Sequence, residues 1–177
     1  MGAYETEPDY LDVQNTPRRV ARMLQDELLS GYREGGREAL QRAFTTFPTG
    51  GAQEMVAEGP IPFVSLCAHH MLPFLGEGYV GYIPGCRLVG LSKIPRVVEF
   101  FSRKLQTQER LTMEIADFLM ENLKPKGVIV LLRARHLCME ARGVRAPGVV
   151  TRTSALRGIA GHPAVKSEFY RLLGLRD

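Results

Sequence analysis

Any fold for this chain has to reckon with two short words that stand on either side of a long helical stretch. Cys67-Ala68-His69-His70 and His136-Leu137-Cys138 hold three of its four histidines and two of its three cysteines. Cys-x-x-His is a chelating spacing, because a tight turn lets both side chains reach one ion. On a strand, His136 and Cys138 would point to the same face. The five donors exceed the three or four that a zinc site uses.

Three readings of the cluster are open. Unrelated core histidines and cysteines are the plainest. Four donors could instead close a structural Cys2His2 zinc and leave no chemistry. Small zinc modules, however, gather their ligands in short loops, and a chain with its own core needs no metal to fold. In the third reading an ion keeps three protein ligands and an open position for water, whose pKa falls to about 7. The remaining histidines then stand ready for proton transfer. Spacing alone does not decide which histidine ligates. His69 and His70 are adjacent, so they point in different directions. The words of the zinc nucleobase deaminases, His-x-Glu and Pro-Cys-x-x-Cys, are absent.

At 177 residues, with 45% hydrophobic and 24% charged side chains, the chain has the makings of one ordinary globular domain. The longest apolar run, Gly127 to Leu132, is far too short to span a bilayer. The stretch from Met1 to Tyr10 is acidic and lacks the apolar core of a signal peptide. Three cysteines do not make a disulfide framework, so a cytoplasmic protein is expected. The net charge of +4 is modest, but Arg133, Arg135, Arg142, Arg145, Arg152 and Arg157 crowd the later part. They read either as a solvated basic face or as a pocket for an anionic small molecule. A nucleic-acid groove is disfavoured, because the basic residues lack interleaved aromatics for base stacking.

Thr16-Pro17 reads as an N-cap followed by proline at the first helical position. Val20, Leu24 and Leu28 repeat at intervals of four until Gly31. A shorter helix is expected over Arg37 to Phe44. Strands are expected from about Met55 to Leu66 and from Gly76 to Pro84, with Leu88 to Leu91 β-like. Pro60 and Pro62 mark the first as an edge or a bulge. Helices follow over Lys93 to Lys104 and Thr107 to Leu123, the latter with Leu111, Ile115, Phe118, Leu119 and Leu123 on one face. Gly127 to Cys138 and Val149 to Leu156 read as strands, and Ala164 to Leu173 as a closing helix. The order predicts an α+β fold with antiparallel pairs.

Five words in order resemble GTP cyclohydrolase I: Ser65 to His70, Gly90 to Arg96, Gln106 to Thr112, His136 to Gly143, and Thr153 to Gly158. Thr16 to Ala21 and Gly31-Tyr32 match the helix that precedes them. The resemblance covers Thr16 to Leu173. It implies a tunnelling fold, an antiparallel sheet in ββααββ order preceded by N-terminal helices, assembled into a homo-decamer. Residues 1–50 would be the helical segment and 51–177 the catalytic part of one structural domain. The implied reaction is zinc-dependent opening of the GTP imidazole ring, with release of formate and formation of 7,8-dihydroneopterin triphosphate.

Carried over by position, the resemblance makes Cys67, His70 and Cys138 the metal ligands and His69 and His136 the catalytic histidines. His69 would protonate the ring nitrogen next to C8, and His136 would serve ring opening and ribose rearrangement. Glu109 matches the carboxylate that receives the guanine N–H groups, with Gln108 beside it. A carboxylate accepting two parallel donors suits guanine, since adenine lacks that edge. Arg19, Ser92, Lys93, Arg96 and Arg142 match groups around the triphosphate and ribose, a task for guanidinium forks and a point charge. These sets come from neighbouring subunits in the family. Ala68 stands where many members carry glutamate, and the chain ahead of Thr16 is too short for a regulatory extension. Fe(II) would suit a similar site. A purine- or pterin-binding protein that leaves the ring intact is the rival function.

Overall fold

The computed structural model describes residues 13–175. The acidic stretch 1–10 read above lies outside the described residues. At its centre is a five-stranded sheet made of β2 (Val56–Cys67), β3 (Pro73–Ile83), β6 (Gly127–His136), β7 (Thr151–Gly158) and the two-residue β5 (Leu105–Gln106), in the order β5-β2-β3-β6-β7. All neighbours are antiparallel except β2 and β5, which pair in parallel at Leu66–Leu105 and Cys67–Gln106. Between β3 and β6 the chain forms α3 (Lys93–Ser102) and α4 (Gln108–Leu123). The expected α+β class and ββααββ order are the observed ones.

Strand periodicity divides the core. Val80, Val130 and Leu132 face α3 and α4, where they meet Val97, Val98, Phe101, Leu111, Ile115, Phe118 and Leu119. Their neighbours Tyr79, Ile129 and Leu131 point to the opposite face and pack under Phe169 of α6 (Pro163–Leu172). Two successive sets of side chains from the same strands thus build two clusters. Helix α4 starts sharply because Thr107 accepts a hydrogen bond from the Arg110 amide in extended backbone. It stops at Lys124, in the left-handed region, ahead of Pro125.

Several expectations shift. The helix expected from Thr16-Pro17 begins one residue earlier: Asn15 caps α1 (Thr16–Arg22), with no side-chain cap bond. It then loosens into a π-helical turn over Met23–Leu28, and a 3-10 turn over Ser30–Tyr32 follows. Gly31 lies in that turn because a Cβ there would stand 2.6 Å from the Phe100 carbonyl oxygen. Helix α2 is Gly36–Ala43. The segment 1–50 is not wholly helical, since β1 (Thr46–Pro48) pairs with β4 (Arg87–Val89) in a small sheet of its own. Strand β3 begins at Pro73 rather than Gly76. Strand β6 ends at His136, and α5 (Leu137–Glu140) follows, so His136 and Cys138 do not share a strand face. Of the edge and bulge readings of Pro60 and Pro62, the bulge agrees with a register shift between Glu58 and Ile61 on β2.

Candidate active site

One end of the sheet gathers the chemistry. Strand β2 ends at Cys67, β3 starts at Pro73, β6 ends at His136 and α5 carries Cys138. The turn between β2 and β3 is closed by the Cys67 carbonyl, which accepts from the His70 and Met71 amides at 3.3 and 2.8 Å. A third bond, from the Cys67 amide to the Leu72 carbonyl at 2.9 Å, locks its base. The Ala68 amide donates to the Gln106 carbonyl at 2.9 Å, which ties the turn to the segment that opens α4.

The ligand atoms of Cys67, His70 and Cys138 all lie within 4.8 Å of one another. Cys67 is buried, Cys138 half-buried and His70 exposed, so the trio has a protein side and an open side. Both sulfurs are free thiols. Burial pushes the Cys138 thiol up, and nearby Cys67 adds to the effect, while the positive charge of Arg142 opposes it. Two thiols and one imidazole are a zinc-type donor set, and three protein donors leave a position for a further ligand. The residues present fit the implied ion. Bringing two sulfurs together costs least when a cation replaces their protons.

Histidines flank the trio. His69 turns its Nδ1 to 3.7 Å from the Cys67 sulfur, and its ring lies 6.3 Å from that of His70 at 71°. His136 is paired with Phe74 across β3 and β6, and their rings stack at 4.7 Å and 3°. Its Nε2 lies 2.8 Å from Gln108 Oε1. Burial holds the His136 pKa below the usual imidazole value, against the opposing pull of the Glu109 carboxylate. Glu109 itself is exposed at the first turn of α4.

The anion-binding candidates divide. Arg142 is exposed and lies close enough to Cys138 to act on its thiol. Ser92, Lys93 and Arg96 sit at the other end of α3. That helix spans ten residues, about 15 Å at 1.5 Å per residue, and its C-terminal end is the one that leads to β5 beside Cys67. Arg19 lines a small cleft with Asn15, Arg18 and Arg22 on α1. Sequence reasoning missed Phe74, because Leu72-Pro73-Phe74 reads as a turn rather than a strand start. It also missed Thr112 and Thr153, whose hydroxyls meet at 2.6 Å beside Gln108, and no local signal marks them.

The family model for GTP cyclohydrolase I matches residues 1–174. The GTP cyclohydrolase 1 of Carboxydothermus hydrogenoformans is 46% identical over 183 residues, covering 100% of this chain and 93% of that protein. That of Finegoldia magna is 45% identical over 170 residues, 96% of this chain and 90% of its own length. That of Chlorobium chlorochromatii is 48% identical over 159 residues, 89% and 70% respectively. Among solved structures, the archaeosine synthase QueF-Like in its apo form gives a TM-score of 0.49 at 15% identity, over 62% of this chain and 97% of that one. With a match that runs nearly from end to end, and with its metal-type donors and histidines converging at one end of the sheet, this chain belongs to the GTP cyclohydrolase I family.

Proposed function

We propose that this enzyme opens the imidazole ring of GTP by hydrolysis, releases C8 as formate and forms 7,8-dihydroneopterin triphosphate. The observation that carries the reading is the convergence of Cys67, His70 and Cys138 with two further histidines beside them. Cys67, His70 and Cys138 would hold a zinc ion, which when bound would supply Lewis acidity and lower the pKa of water. His69 gives a proton to the ring nitrogen next to C8. His136 moves protons during ring opening and ribose rearrangement. Glu109 accepts the guanine N–H groups, with Gln108 next to it in the chain. Arg142 holds anionic oxygen near the trio. Ser92, Lys93, Arg96 and Arg19 hold the triphosphate from a neighbouring copy, as the family likeness implies, and the start of α3 offers the first three together. The working form is a homo-oligomer, ten copies by family likeness, acting in the cytoplasm on a small molecule without nucleic acid or membrane. Among the described residues no helix is long and apolar enough to cross a membrane.

The test is incubation of zinc-loaded protein with GTP. Formate and a pterin that fluoresces after oxidation should appear in equal amounts. His69→Ala or His136→Ala should abolish both while zinc content, measured by plasma emission, stays near the parent's value. GTP binding without formate would select the rival binding protein. Full turnover in either variant would refute the assignment of that histidine.

A further inference from the structure

Gln108 is the first residue of α4 and is 2% exposed. Its amide nitrogen lies 3.2 Å from the Leu132 carbonyl oxygen of β6, 3.1 Å from the Thr151 carbonyl oxygen of β7 and 3.1 Å from Thr153 Oγ1. Two of these partners are carbonyls, which only accept. The group facing them must therefore be the NH2, and the amide cannot be turned over. The hydroxyls complete the assignment. Thr112 donates to the Gln108 main-chain carbonyl at 2.6 Å. Thr153, 2.6 Å from Thr112 Oγ1, must then donate to it, which leaves Thr153 free to accept from Gln108. The NH2 shares its two hydrogens among these three acceptors, and Gln108 Oε1 is left as a pure acceptor.

That oxygen is 2.8 Å from His136 Nε2, so Nε2 carries the hydrogen. We propose that Gln108 is a positioning residue: with Phe74 fixing the plane of the His136 ring, it fixes the tautomer, keeping the hydrogen on Nε2 and presenting Nδ1 as the bare nitrogen. This rests on the proposed role of His136 in proton transfer, and it gives Gln108 a task that does not require it to touch the purine. The bonds that hold it come from three elements, α4, β6 and β7, so the orientation is set by the fold before substrate arrives.

Two measurements test it on the zinc-loaded protein. In solid-state NMR of 15N,13C-histidine protein, the signals lost in His136→Ala should show the ring proton on the nitrogen bonded to two C–H carbons. That nitrogen is Nε2. Gln108→Met, which removes the acceptor at similar length, should shift those signals toward the other tautomer. Its kcat should fall on the order of 100-fold, the low end of what a positioned acid–base group contributes, with KM for GTP within about threefold and zinc content unchanged. A proton on Nδ1 in the parent protein would overturn the proposal even if Gln108→Met does not fold. So would a raised KM with kcat spared, the mark of a residue that reads the base. Normal turnover in His136→Ala would instead remove the role assigned to His136 and leave the tautomer result standing.

Discussion

Phe74 and His136 form a directly opposed cross-strand pair, and the flat stack between them shows how a sheet register becomes an active-site distance. A slip of one residue would turn the imidazole to the other face. A different residue, Glu58, sits uneasily. Its carboxylate is half-buried, one oxygen has no hydrogen-bond partner, and burial raises its pKa. A carboxyl with a raised folded-state pKa contributes its stability below the unfolded value and loses it as pH climbs through the folded one. Glu58→Gln should therefore raise the melting temperature at pH 8 and leave it nearly unchanged at pH 4. Thermal melts at the two pH values check this, and an equal shift at both would show that charge is not the cause. Spacing made a five-donor cluster legible, and the resemblance picked Cys67, His70 and Cys138 from it. Gln108 was read only as a neighbour of Glu109, because the partners that define its amide lie on strands remote in sequence.

At the scale of elements, β3 and β6 carry the site between them, and their close approach depends on Gly76. A Cβ there would overlap the Arg133 carbonyl oxygen, a backbone atom that cannot swing aside. Gly76→Ala should cost upward of about 3 kcal/mol, beyond ordinary overpacking, in urea unfolding. Gly161→Ala, where nothing lies within 4 Å, is the matched control. Equal midpoints for the two would mean that the ladder yields more readily than the geometry implies. The long apolar elements were readable, since α4 carries a helical stripe and β6 an unbroken aliphatic run from Val128 to Leu132. The short ones were not. Strand β5 has two residues, too few for any period, and α5 winds at the point where a strand reading was natural. Strand β1 owes its existence to β4, a partner remote in sequence.

For the whole molecule, the sheet of this tunnelling fold ends in β7 on one side. On the other it ends in β2, which β5 covers only at Leu66 and Cys67. Among the described residues both edges offer unpaired backbone, and Val64 and Leu75 stand 37% and 41% exposed near the site end. Edge joined to opposite edge is a heterologous contact, which closes into a ring when the rotation permits. The position of Ser92, Lys93 and Arg96 then makes a clear prediction. His136→Ala and Lys93→Ala should each be inactive alone. Unfolded together and reassembled one to one, they should recover about a quarter of parental formate release, because each half of a shared site is intact with even odds. No recovery would place both halves in one chain. The placement of Ser92, Lys93 and Arg96 at the start of α3 would then reach into the rate law: with a reaction centre divided between molecules as proposed, the catalyst's own concentration would become a variable of its specific activity, and dilution alone would act as an inhibitor.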